Sequence, residues 1–240
     1  MDDGLIADGL RSDMPADDGS RALRRYLIRV LLAFAIVFLL LWGVGALLDE
    51  LGDGRLAFDV PILQAVHALA NARLDRVFLI LTALGYGWGV LPADAMLVLA
   101  LAVARRTREG VFAGIAILGA LVLDLAVKHA SARERPSLWD SLVHESSYSF
   151  PSGHAMASMT LAWVVVLLCW SARFRLGWTL RWPATCVASA FVLLVGMSRL
   201  YFGVHYPSDI LAGWTAASLW VASVYVLTFR AGRPPQPGRG

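Results

Sequence analysis

Long apolar runs separated by short polar stretches dominate the chain. Six of them approach the length of about 20 residues that a helix needs to cross a bilayer. They cover residues 27–48, 76–104, 110–130, 154–171, 182–200 and 209–229. This pattern predicts an all-α, polytopic membrane protein with six transmembrane helices in one bundle. The second run exceeds what a span requires and carries Gly85, Gly87, Gly89 and Pro92, so a kink or tilt is expected there. Between the first two runs, Ile62, Leu63, Val66, Leu69 and Ala70 recur at helical spacing, with Gln64, His67 and Asn71 opposite. Residues 59–72 therefore read as an amphipathic helix lying on the outer membrane surface.

Composition agrees with the pattern: 58% of the 240 residues are hydrophobic, and the mean hydropathy is +0.63. The acidic, Gly-rich residues 1–20 read as a disordered cytoplasmic tail, residues 21–230 as one membrane domain, and residues 231–240 as a second cytoplasmic tail. Run one is too long for a signal-peptide core and reads as a retained anchor. Gly110, Gly114 and Gly119 in run three suit close helix packing, and Trp170, Trp178 and Trp182 suit an aromatic belt at the inner boundary.

A net charge of +3 and a pI near 9.1 raise the question of nucleic acid, but the placement of the arginines argues against it. Arg21, Arg24, Arg25 and Arg29 precede run one, and Arg105, Arg106 and Arg108 lie between runs two and three. Arg173, Arg175 and Arg181 lie between four and five, and Arg230, Arg233 and Arg239 follow six. If six helices alternate, all of these fall on one side, which places both termini in the cytoplasm of a multi-pass inner (plasma) membrane protein. Cys169 and Cys186 then face a reducing compartment as small apolar residues, with neither a disulfide nor a metal cluster expected.

Charge of another kind gathers at the opposite ends of the helices. Six residues separate Lys128 from Arg135-Pro136; Pro151-Ser152-Gly153-His154 follows; then come Ser198-Arg199, His205 and Asp209. The alternating topology brings all three blocks to the extracytoplasmic face. Ionisable groups in so apolar a chain mark a functional site, and this mixture suits holding a phosphate dianion while a histidine attacks it. Ser152 and Gly153 at a helix start offer free backbone N–H groups to an anion, and Ser152 can both cap the helix and donate to the ligand. His205 reads as nucleophile and Asp209, four residues on, as the carboxylate that fixes its tautomer. A metal pair would also fit that spacing, but three nearby cations already supply positive charge. His154 reads as general acid and then base, with Lys128, Arg135 and Arg199 neutralising the phosphate. Lys128 is the only lysine beside 20 arginines. Asp124, one turn before it, is a candidate partner; Arg133 and Glu134 read as a solvated loop face. His67, His129 and His144 read as surface or interface residues, and Asp94 has no assigned role.

In these three blocks the chain resembles the phosphatidic acid phosphatase type 2 superfamily, which includes lipid phosphatases and the vanadium haloperoxidases. The matching residues are Lys128, Arg135 and Pro136; Pro151, Ser152, Gly153 and His154; Ser198, Arg199, His205 and Asp209. The resemblance implies a six-helix membrane bundle and metal-independent hydrolysis, without a cofactor, of a lipid phosphate or diphosphate through a phosphohistidine. Undecaprenyl or another polyprenyl diphosphate is the leading substrate, ahead of phosphatidic acid and phosphatidylglycerol phosphate. A phosphotransferase using the same intermediate is the nearest alternative, and a transporter a distant one.

Overall fold

The computed structural model describes residues 16–50, 54–171 and 178–230, and the regular elements among them are eight α-helices. They are α1 (Ala16–Glu50), α2 (Asp59–His67), α3 (Ala72–Leu84), α4 (Val90–Val103), α5 (Thr107–Ser131), α6 (Gly153–Trp170), α7 (Trp178–Tyr201) and α8 (Pro207–Phe229). The two expected tails lie mostly outside the described residues, as do Arg173, Arg175, Arg233 and Arg239.

Five of the expected spans form as single helices: α1, α5, α6, α7 and α8 are each long and apolar enough to cross a bilayer. The run at 76–104 differs from a single kinked helix. It is cut into α3 and α4 by a turn over residues 85–89 that closes at Gly89, where an added Cβ would stand 2.1 Å from Leu84 O. Only glycine accommodates that approach. Pro92 then falls in the first turn of α4, where a missing N–H costs no hydrogen bond. The start of α3 is fixed by Asn71, whose side chain accepts from Arg73 N and Leu74 N at 3.1 Å each. In the stretch at 59–72, α2 covers only the first nine residues, anchored by the fully buried Leu63.

The apolar core lies between α1, α5, α6 and α8. Phe112, Ala116, Leu123 and Val127 of α5 meet Met156 and Val164 of α6 and Trp220 and Val224 of α8. Trp220 also donates from Nε1 to Ala116 O at 2.9 Å, so the largest buried side chain leaves no unpaired polar atom. Leu31, Leu32, Ile36, Leu118 and Leu193 point outward and exposed, an apolar exterior suited to hydrocarbon. Trp170, Trp178 and Trp182 do cluster, with ring centroids 5.3–6.0 Å apart. Cys169 and Cys186 are free thiols.

Candidate active site

The end of α5, the loop after it, the start of α6, the end of α7 and the turn into α8 meet at one end of the bundle. All of the sequence-predicted site residues are here. In the last turn of α5, Lys128 Nζ donates to both oxygens of Asp124 at 2.7 and 2.8 Å, and both side chains are buried. The suggested pairing therefore forms. Gly153 opens α6 directly against it: a Cβ there would stand 2.9 Å from Lys128 Nζ and 3.0 Å from Asp124 Oδ2. The absent side chain is what lets a helix start, with its free N–H groups, lie beside the ammonium. Ser152 caps the helix, Oγ accepting from Ala155 N, and its own N–H donates to Asp209 O at 3.2 Å. That backbone bond ties the start of α6 to the start of α8.

The two arginines are held differently. Arg135 donates to the carbonyls of Ser147 and Val204 at 2.7 Å and of Tyr148 at 3.2 Å. Arg199 is fully buried at the end of α7; it donates to Thr82 Oγ1 of α3 and to the Glu145 carboxylate, while its Nε makes no hydrogen bond. Glu145 also lies 3.9 Å from Arg135 Nη2, so one loop carboxylate spans both guanidinium groups. Burial pushes the Arg135 guanidinium below its ordinary value, while the carboxylates of Glu145, Asp209 and Asp124 act in the opposite sense.

His205 is buried and lies just before α8 rather than inside it, so its approach to Asp209 comes from the turn and not from one helical face. Its Nδ1 stands 3.4 Å from Asp209 Oδ2, longer than a formed hydrogen bond, and its Nε2 stands 3.1 Å from Arg135 Nη1. Burial first, then the charges of Arg135, Arg199 and Lys128, hold its pKa well below the usual imidazole value. His154, in the first turn of α6, packs against Tyr86 with ring centroids 5.1 Å apart. The charges of Arg199, Lys128 and Arg135 and the His205 ring all bear on it.

One reading is corrected. Glu134 is exposed, but Arg133 is buried (4% exposed) and is not part of a solvated loop face. Ala132 ends α5 in the left-handed conformation (φ 47°), and the following residue passes beneath α8. There its guanidinium donates to Asp209 Oδ1, to Ser208 Oγ at 3.0 Å, to Asp59 Oδ2 at 3.2 Å and to Gly54 O at 2.9 Å. Asp209 further accepts from Ser149 Oγ and from Tyr206 N at 2.9 Å. Asp94 is buried in α4, with Oδ1 making no hydrogen bond, and lines a small cavity with Asp124, Gly153 and Thr160. His129, bonded through Nδ1 to Leu125 O at 2.8 Å, and His67, stacked on Trp139 at 3.9 Å, are engaged in local packing.

The chain is similar to known proteins over most of its length. The PAP2 superfamily pattern matches residues 109–233. An undecaprenyl-diphosphatase of Sulfolobus acidocaldarius is 29% identical over 181 residues, covering 73% of this chain and 80% of the relative. Phosphatidylglycerophosphatase B of Bacillus subtilis is 30% identical over 163 residues, 67% of this chain and 78% of that protein. The crystal structure of a transmembrane PAP2-type phosphatidylglycerolphosphate phosphatase from Bacillus subtilis superposes with a TM-score of 0.62 at 25% identity, over 86% of this chain and 98% of that one. The matched segment runs from α5 through α8 and so contains every residue of the three blocks. This chain is a member of the PAP2 superfamily.

Proposed function

We propose that the protein is a membrane phosphatase that hydrolyses a lipid phosphate or diphosphate through a phosphohistidine on His205. One observation carries the reading. A guanidinium can only donate, so Arg135 Nη1 at 3.1 Å from His205 Nε2 makes that ring nitrogen the acceptor, and its lone pair is freed for attack when an arriving phosphate takes the Arg135 donor. The ring proton then sits on Nδ1, facing Asp209. This is the tautomer an attacking imidazole needs, in a ring of cations that would hold its target.

In the first step Nε2 attacks phosphorus, the P–N bond forms and the P–O bond to the lipid leaving group breaks. His154 supplies the proton to the departing oxygen. In the second step His154 takes a proton from water, whose oxygen attacks phosphorus as the P–N bond breaks, releasing inorganic phosphate from a monoester or a diphosphate. Lys128, Arg135, Arg199 and the N–H of Gly153 stabilise charge on the equatorial oxygens. An arriving phosphate displaces Glu145 from the guanidinium groups.

Polyprenyl diphosphate is the favoured substrate, supported by the undecaprenyl-diphosphatase relative; phosphatidylglycerol phosphate is next, supported by the Bacillus subtilis phosphatase. The reading includes a six-span topology in which α3 and α4 cross the membrane together, α2 lies at the outer interface, and both termini face the cytoplasm. Release of free phosphate from a panel of purified lipid monophosphates and diphosphates in detergent tests it. Label passing only to a second lipid, never to water, would replace hydrolysis by phosphotransfer.

A further inference from the structure

Two carboxylates, Asp59 at the start of α2 and Asp209 in the first turn of α8, are each 0% exposed and share a single guanidinium, that of Arg133. Buried ions without partners are strongly disfavoured, and a guanidinium fork is the side chain best shaped to serve two carboxylates at once. The ring of Tyr206 covers the guanidinium at 4.3 Å, closing its remaining face. The other donors are allotted with little redundancy. Asp59 takes Leu56 N at 3.0 Å, Ser208 N at 2.9 Å and Ser208 Oγ at 2.7 Å. Asp209 takes Ser149 Oγ and Tyr206 N on Oδ2, the oxygen facing His205, and Arg133 on Oδ1.

We infer that Arg133 is a positioning residue for the reaction: it holds Asp209 in the rotamer that presents Oδ2 to His205 Nδ1, with Asp59 of α2 fixing the guanidinium from the other side. Arg133 touches neither His205 nor, by its burial beneath α8, the place a phosphate would take beside Arg135 and Arg199. Its hydrogen-bonded link toward the His205 ring runs through Asp209. The inference rests on the proposed role of His205, and the two fail separately: full activity in His205→Ala removes that role, whereas an inactive His205→Ala beside unaffected Arg133 variants removes only this inference.

The test compares kcat, KM and thermal midpoint for Arg133→Lys, Arg133→Gln, Asp209→Asn and the Arg133→Gln/Asp209→Asn pair, in the full chain, with rates normalised to folded protein. Arg133→Gln is expected to lower kcat about 100-fold with KM within about twofold, and Arg133→Lys about tenfold, because an ammonium keeps the charge and loses the fork. In the Asp209→Asn background, Arg133→Gln should cost little further rate. A merely structural arginine would instead give losses that track the thermal midpoint and multiply in the double variant, and that outcome overturns the inference. Should Arg133→Gln fail to fold, the Lys variant decides: a wild-type kcat there overturns it as well.

Discussion

Arg135 Nη1 stands 3.1 Å from His205 Nε2, and this contact assigns the lone pair of the ring. A nitrogen that faces a pure donor is an acceptor, so the proton is directed to the side where Asp209 Oδ2 stands 3.4 Å away. On the proposed reading, the buried imidazole uses one nitrogen for chemistry and the other for orientation.

His205→Ala should reduce kcat by at least about 1000-fold while the detergent-solubilised protein keeps its helical circular dichroism and elution position. Substantial phosphate release from that variant would show the nucleophile to lie elsewhere.

Glu145 is bonded to Arg199 and lies near Arg135, so it competes with any anion for the same charges. Glu145→Gln should lower the inhibition constant for inorganic phosphate roughly three- to tenfold, since a rim ion pair of this kind is worth about 1 kcal/mol. Unchanged inhibition would mean that the carboxylate yields at no cost.

Gly153→Ala places a methyl group 2.9 Å from Lys128 Nζ. The lysine end is flexible but is clamped by Asp124, so the methyl should push the pair apart. Activity should fall about tenfold or more with the thermal midpoint within a few degrees, the cost of modest overpacking being about 1–3 kcal/mol. Full activity would show that Lys128 can retreat without consequence.

The low pKa of His205 has a definite sign in solution. Protonation of the folded protein at this ring is opposed by burial and by Arg135, Arg199 and Lys128. The reactive neutral form therefore persists below the ordinary histidine value of about 6.5. The acid limb that His205 contributes to kcat/KM should lie below that value, and Arg135→Gln should move it upward. The unfolded chain gains this proton first as pH falls, so stability should decline from about pH 6.5 down to the depressed folded value. An acid limb at or above 6.5 that is insensitive to Arg135 would contradict this.

Incubation with a chelator should leave phosphate release unchanged, because Lys128, Arg135 and Arg199 supply the positive charge. Loss of activity restored by a divalent ion would revive the metal reading of His205 and Asp209.

Much of this architecture is legible in the chain because apolar length and motif order are local signals. Five of the six expected spans emerge as whole helices, and the three blocks meet as alternating topology requires. The break between α3 and α4 was harder to read, since Gly85, Gly87, Gly89 and Pro92 announce a disturbance without fixing its severity. That depends on how closely Gly89 approaches Leu84 O. The burial of Arg133 is illegible for a related reason: it depends on Ala132 leaving α5 left-handed, a conformation that alanine rarely adopts and that no motif signals. Thr82, Ser149 and Asp59 carry no fixed spacing to the three blocks, so only tertiary structure brings them to the site.

Arg135, finally, directs its donors to three main-chain oxygens as well as to the histidine ring. A guanidinium so tethered cannot swing out to greet a ligand; the ligand must travel to it. On the proposed reading, the positive charge of Arg135 is thus fixed in place when the protein folds, and what a lipid phosphate has to move aside is the Glu145 carboxylate.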